Sequence, residues 1–198
     1  MEKVLRFFLF SLCFLPLFAD FVVQSFQELR NQNLVRQSYE ESCGAASLAT
    51  LIRLIDFKRV DELEVLEYFT KDSKGNINTD MVSFLELQKA AQKMGYKSAS
   101  YQMDREVLEK IQIPLLVKIE DDPRFPHFVV IINYAGDYIR VFDPSHGEYL
   151  SLKNEFYSVW DKDHKGGYAL VLTTTKGIAP EQLPLTMPLD VFFEAGRR

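Results

Sequence analysis

Apolar residues at Ala45, Ala46, Leu48, Ala49, Leu51, Ile52 and Ile55 leave almost no polar face, which predicts a helix buried on most sides, with Ser42 as its N-cap. Asp61 is placed to cap a short helix carrying Leu63, Leu66 and Phe69 on one side, after a connector at 57–60. Residues 71–76 read as a turn. Thr79 or Asp80 then starts a helix with Met81, Phe84 or Leu85, Leu87, Ala91 and Met94 at helical spacing, closed by Gly95. Past Gly95 the period shortens toward two. Residues 96–102 alternate, Asp104 caps a short helix around Val107, Leu108 and Ile111, and 113–119 reads as a strand with Pro114 at its start. The clearest β signal is 127–134, a turn at Ala135, Gly136 and Asp137, and 138–143 ending at Pro144, a predicted hairpin. Ser145, His146 and Gly147 turn the chain again and 148–150 extends briefly. Ser151 caps a helix with Phe156, Val159 and Trp160, and 168–174 is a last strand.

The chain has 198 residues, 47% of them hydrophobic, enough for one domain with a sizeable core. A net charge of −5 with scattered basic residues gives no electrostatic footprint for nucleic acid, so that role is discarded. The first residues follow a different logic: Lys3 and Arg6 precede an apolar run from Phe7 to Ala19 that is short for a spanning helix, the outline of a secretory signal. The expected organisation is a signal peptide at 1–19, one domain at 20–175 and an irregular, proline-bearing tail at 176–198 docked through Phe192 and Phe193. The expected location is the periplasm or the outside of the cell. The alternative is an uncleaved N-terminal segment that associates the chain with the inner membrane. Loss of the signal removes Cys13 and leaves Cys43 alone, which excludes an intramolecular disulfide and a multi-cysteine zinc site.

A single thiol in an exported chain calls for an intermolecular bridge, deep burial or reactivity. At the start of a helix, unpaired N–H groups and the helix dipole favour thiolate over thiol, so Cys43 is a candidate nucleophile, with inert burial as the plainer alternative. Gln37, one loop earlier, is placed to supply an amide donor to an oxyanion beside the Cys43 N–H. A hairpin turning near Gly136 sets Asp143 opposite about Val129, a diagonal neighbour of His127. An imidazole and a carboxylate then meet at one edge of the sheet, where a helix start packed on the same face delivers Cys43, as a Cys-His-Asp site requires. Taken alone, His127 is also readable as a strand-end histidine and Asp143 as a turn starter. His146 and His164 are rival bases in polar turns and are expected to be solvated. No histidine shows the helical spacing of a zinc motif, and no cofactor is expected.

Gln37 six residues before Cys43-Gly44-Ala45-Ala46, then 123–131 around Pro126-His127-Phe128, then Val141-Phe142-Asp143-Pro144-Ser145-His146-Gly147, and Glu155-Phe156 before Trp160, together resemble the bacteriocin-processing, double-glycine leader cysteine peptidases. The resemblance runs from Gln37 to about Leu172. It implies an α+β, papain-like fold with N-terminal helices packed on a C-terminal antiparallel sheet. It also implies Cys43 as nucleophile, His127 as general base, Asp143 as its orienting partner and Gln37 in the oxyanion hole. The family often has an acidic residue before its cysteine, where this chain has Ser42, and many members are fused to an ABC transporter. Two functions follow: a cysteine peptidase acting on an exported peptide or protein, or a catalytically silent papain-like module that binds peptides or assists assembly.

Overall fold

The computed structural model describes residues 24–69, 77–120, 126–174 and 177–178. The expected signal, the turn at 71–76 and the tail from 179 onward lie outside these residues. Among the described residues a single six-stranded sheet carries the fold, in the order β1 (Lys97–Met103), β6 (Gly167–Thr173), β2 (Leu115–Ile119), β3 (His127–Asn133), β4 (Tyr138–Asp143) and β5 (Gly147–Leu152). Every neighbouring pair is antiparallel. Strand alternation divides the core in two. Leu116, Phe128, Val130, Phe142 and Leu170 face one way, while Leu115, Val117, Val129, Ile131 and Val141 face the other.

The first face is covered by α2 (Cys43–Asp56), supported by α3 (Glu62–Leu66) and α4 (Phe84–Lys93). Twelve of the fourteen α2 residues are buried, as its apolar composition demands. Phe156, Tyr157 and Trp160 of α6 (Lys153–Trp160) cover the second face with Leu108 of α5 (Arg105–Lys110). The lead-in before Gln37 contains α1 (Phe26–Asn31), opened by a capping box between Ser25 and Glu28.

Several boundaries differ from the sequence reading, each for a local reason. Ser83, with a capping box to Glu86, starts α4 four or three residues later than Thr79 or Asp80; Met81 and Leu85 are exposed. Asp61 does cap α3, and Leu66 and Phe69 are buried as expected, but Val65 joins them inside while Leu63 points to solvent. Val107 is exposed too, and Leu108 anchors α5 by itself. Ser151 belongs to β5, which runs six residues instead of three, and α6 starts without a side-chain cap. Gly95 closes α4 at φ +91°, as a glycine after a helix does.

Gly167 opens β6 against the Trp160 ring, whose Nε1 donates to the Tyr168 carbonyl at 3.1 Å. A Cβ on Gly167 would lie 2.2 Å from that ring, which is itself buried. Gly167→Ala is therefore expected to cost about 1–3 kcal/mol by overpacking, read as a lower midpoint in urea unfolding. The Gly166-Gly167 pair serves turn and packing here.

Candidate active site

Three segments converge at one end of the sheet. The first is α2, whose opening residue is Cys43, 3% exposed. A Cβ on the next residue, Gly44, would fall 2.6 Å from Val82 Cγ2 and 3.3 Å from Phe128 Cδ2, so only glycine lets the helix start this close to β3. One turn along, Ser47 Oγ donates to the buried Phe128 carbonyl at 2.8 Å. The β3–β4 ladder stops at Val130↔Phe142, and continuing its register would set Phe128 against Pro144, which has no N–H. Ser47 thus ties the helix that opens with Cys43 to the strand that opens with His127. Ser47→Ala should leave that carbonyl without its donor and cost about 1–3 kcal/mol, measurable by urea unfolding.

The second segment is the β3–β4 hairpin. The same register, extended by one place, puts Asp143 opposite Val129, as the sequence indicated. His127 Nε2 donates to Asp143 Oδ1 at 2.9 Å, and Cys43 lies near enough to the ring to act on its charge. One expectation is corrected here. By alternation His127 and Asp143 share the side of Val129, Ile131 and Val141, the α6 side, whereas α2 lies on the opposite side. Cys43 meets the imidazole by reaching past the end of the sheet, not by packing on the face the pair occupies.

Asp143 is 3% exposed and collects four donors. Besides His127, the N–H groups of Ser145 and His146 donate to Oδ1 at 2.7 and 3.1 Å, and His146 Nδ1 donates to Oδ2 at 3.2 Å. His146 is therefore exposed yet engaged, where the sequence suggested a solvated bystander. His164 sits in its turn at φ +54°. Burial is the largest influence on Asp143 and pushes its carboxyl up. The hydrogen bond and charge of His127, with the two N–H donors, outweigh it and hold the group down at about 2. Burial likewise pushes His127 down, but the hydrogen bonds to Asp143 and Cys43 and their charges raise the imidazole to about 9. The arrangement favours a protonated ring beside the Asp143 carboxylate.

The third segment, leading to Cys43, carries Gln37. Val35 N–H donates to Thr50 Oγ1 of α2 at 2.8 Å, Asn33 Nδ2 to Glu148 Oε2 at 3.0 Å, and Gln37 N–H to the Pro144 carbonyl at 3.1 Å. Gln37 is thus strung between α2 and the exit of β4. Its Oε1 accepts from Ser145 Oγ at 2.8 Å, while its Nε2 donates to the carbonyls of Tyr39 and Glu40, both at 3.2 Å. Ser42 does not cap α2 through its side chain as expected. Its hydroxyl faces inward, to Tyr39 and to Glu62, a buried residue of α3 that sequence reasoning missed.

Cys43, His127, Asp143 and Gln37 line one cleft of about 720 Å³. Glu40, Glu41 and Met81 form part of its rim, and Ile119, Pro126 and Val159 another part. A nucleophile, an acid–base group and an amide donor beside a space of this size suit acyl transfer on an extended chain.

Residues 31–176 match the model of the Peptidase C39 family. The protein described as "Probable functional amyloid protease FapD" of Pseudomonas aeruginosa is 32% identical over 140 residues, 70% of this chain and 62% of that relative's length. The chain thus spans less than two thirds of that relative. Among solved structures, a double glycine motif protease from an AMS/PCAT transporter, in complex with the leader peptide, is 25% identical at a TM-score of 0.57 over 70% of this chain and 89% of that one. The peptidase domain of Streptococcus ComA, a bifunctional ABC transporter involved in quorum sensing, is 23% identical at 0.58, over 71% and 96%. The latter likeness is one of fold, a mixed helical and antiparallel arrangement.

Proposed function

Because this chain belongs to the peptidase C39 family, whose members are cysteine peptidases of papain-like fold, we propose that it is a cysteine endopeptidase that cuts an exported protein through Cys43, His127 and Asp143. The observation that carries the reading is the hydrogen bond between His127 and the buried Asp143 carboxylate, with Cys43 beside the imidazole and all three opening on one cleft. Cys43 Sγ attacks the carbonyl carbon of the scissile bond and the carbonyl oxygen takes the charge. The Cys43 N–H and the Gln37 amide stabilise that oxyanion, the amide exchanging one of its two 3.2 Å bonds for the new acceptor. As the C–N bond breaks, the proton on His127 passes to the leaving amine. The imidazole then takes a proton from water, which attacks the thioester, releases the second product and restores the thiolate and imidazolium. Asp143 fixes the ring and stabilises its charged form.

The substrate class follows from the relative. The name of the Pseudomonas aeruginosa protein attaches it to functional amyloid, and we infer an amyloid-forming or amyloid-assisting exported protein as the substrate here. The place of action is the periplasm, with 1–19 serving as signal or as inner-membrane anchor. Cells producing wild-type chain and cells producing Cys43→Ala should differ in the new N-termini found by mass spectrometry of their exported proteins. Identical sets of termini would overturn the reading.

A further inference from the structure

Resting on that reading, we propose that Glu62 is a positioning residue of the site, holding the loop at 37–42 so that the Gln37 amide is presented to the oxyanion. Glu62 does not touch the cleft. It is 3% exposed on α3, twenty residues beyond Ser42, where a carboxylate is seldom placed without purpose. The Ser38 N–H meets both of its oxygens, each at 3.0 Å, and Ser42 Oγ meets Oε1 at 2.5 Å. The carboxylate therefore grips the loop beside Gln37 and again beside Cys43, at the two ends that matter for the chemistry.

Proton arithmetic makes the grip directional. A serine hydroxyl has one proton to give. Ser42 Oγ stands within reach of Glu62 and, at 2.9 Å, of the Tyr39 carbonyl. A carboxylate is the stronger acceptor, so the proton goes to Glu62. The Tyr39 carbonyl then accepts from the Ser42 N–H at 3.5 Å and from Gln37 Nε2 at 3.2 Å, and with the Glu40 carbonyl it aims the amide.

A glutamine at 62 cannot reproduce the arrangement. With the Ser38 N–H equidistant from both oxygens, either orientation of the amide turns an NH₂ toward a donor. The loss should fall on the oxyanion and leave the nucleophile alone. Two reactions of the full chain separate these: alkylation by iodoacetamide, which forms no oxyanion, and acylation by the p-nitrophenyl ester of N-acetylglycylglycine, which does.

Glu62→Gln is expected to slow acylation about tenfold and to change alkylation less than about twofold. Adding Ser42→Asp to Glu62→Gln returns a carboxylate to the same spot and should restore acylation to within about threefold of wild type. Should Glu62→Gln fail to fold, Ser42→Ala must show the same split. Unchanged acylation, an equal fall in both reactions, or no rescue by Ser42→Asp would overturn the role of Glu62. Acylation of wild type that survives Cys43→Ala would instead overturn the peptidase reading itself.

Discussion

Cys43→Ala and His127→Ala are each expected to lower peptide hydrolysis by roughly 10⁴-fold or more while the protein stays folded. In the proposed mechanism the Cys43 thiol forms the acyl-enzyme. Without the ring, neither the leaving amine nor the incoming water finds its proton carrier. Because the two groups act as one unit, the double variant should be scarcely worse than either single one. Alanine at 43 removes a small buried group next to Gly44, so the unfolding midpoint should move little. Hydrolysis of a peptide substrate by either single variant at a rate near wild type would remove Cys43 and His127 from the chemistry. Circular dichroism on the same samples distinguishes a chemical loss from a folding one.

Asp143→Asn should move the alkaline limit of activity downward. The imidazole is held at about 9, against an ordinary 6.5, by groups of which Asp143 is the strongest that raises it. Wild-type acylation and turnover should therefore persist through neutrality and fall as pH rises through about 9, when the ring loses the proton it must give. With asparagine in place, burial acts with less opposition, and the limit should shift toward 6.5 or below. At pH 8 this leaves little imidazolium, and turnover should fall by roughly 10²–10⁴-fold. A limit still at about 9 would show that the carboxylate does not govern the ring.

Stability carries the same signature. A group raised on folding contributes stability that is complete below its unfolded value, so the His127 contribution is full below about 6.5 and lost as pH rises to about 9. Asp143 is depressed, from 3.8 to about 2, so its contribution is full above about 3.8 and lost as pH falls toward 2. The wild-type advantage over Asp143→Asn in urea unfolding should thus be greatest between about pH 4 and 6.5 and should shrink on either side.

The meeting of His127 with Asp143 was legible because hairpin register is arithmetic once the turn at Gly136 is placed. The burial of α2 was legible because its run of alanine and aliphatic residues offers no polar side. The missed features belong to another class. Leu63, Leu85 and Val107 are apolar at plausible helical spacing, but which stripe of a short helix turns inward depends on what packs against it. Glu62 reads as a solvated charge until Ser38 and Ser42 are known to lie above it. The side of the sheet taken by His127 relative to α2 is a tertiary fact that strand alternation alone does not supply. His146 looked like a turn residue and is one, yet its ring folds back onto Asp143 three positions earlier.

The order of the sheet places its last strand in sequence second in space. β6 is seated between β1 and β2, paired along its whole length with one and through Leu170 and Ala169 with the other. Without β6, strands β2 to β5 and the separate β1 would each present an unpaired edge to any passing strand. The strand that joins the two parts of the scaffold comes after every other described strand, so a fragment stopped short of Gly167 is expected to associate through those edges and not to act as a smaller peptidase.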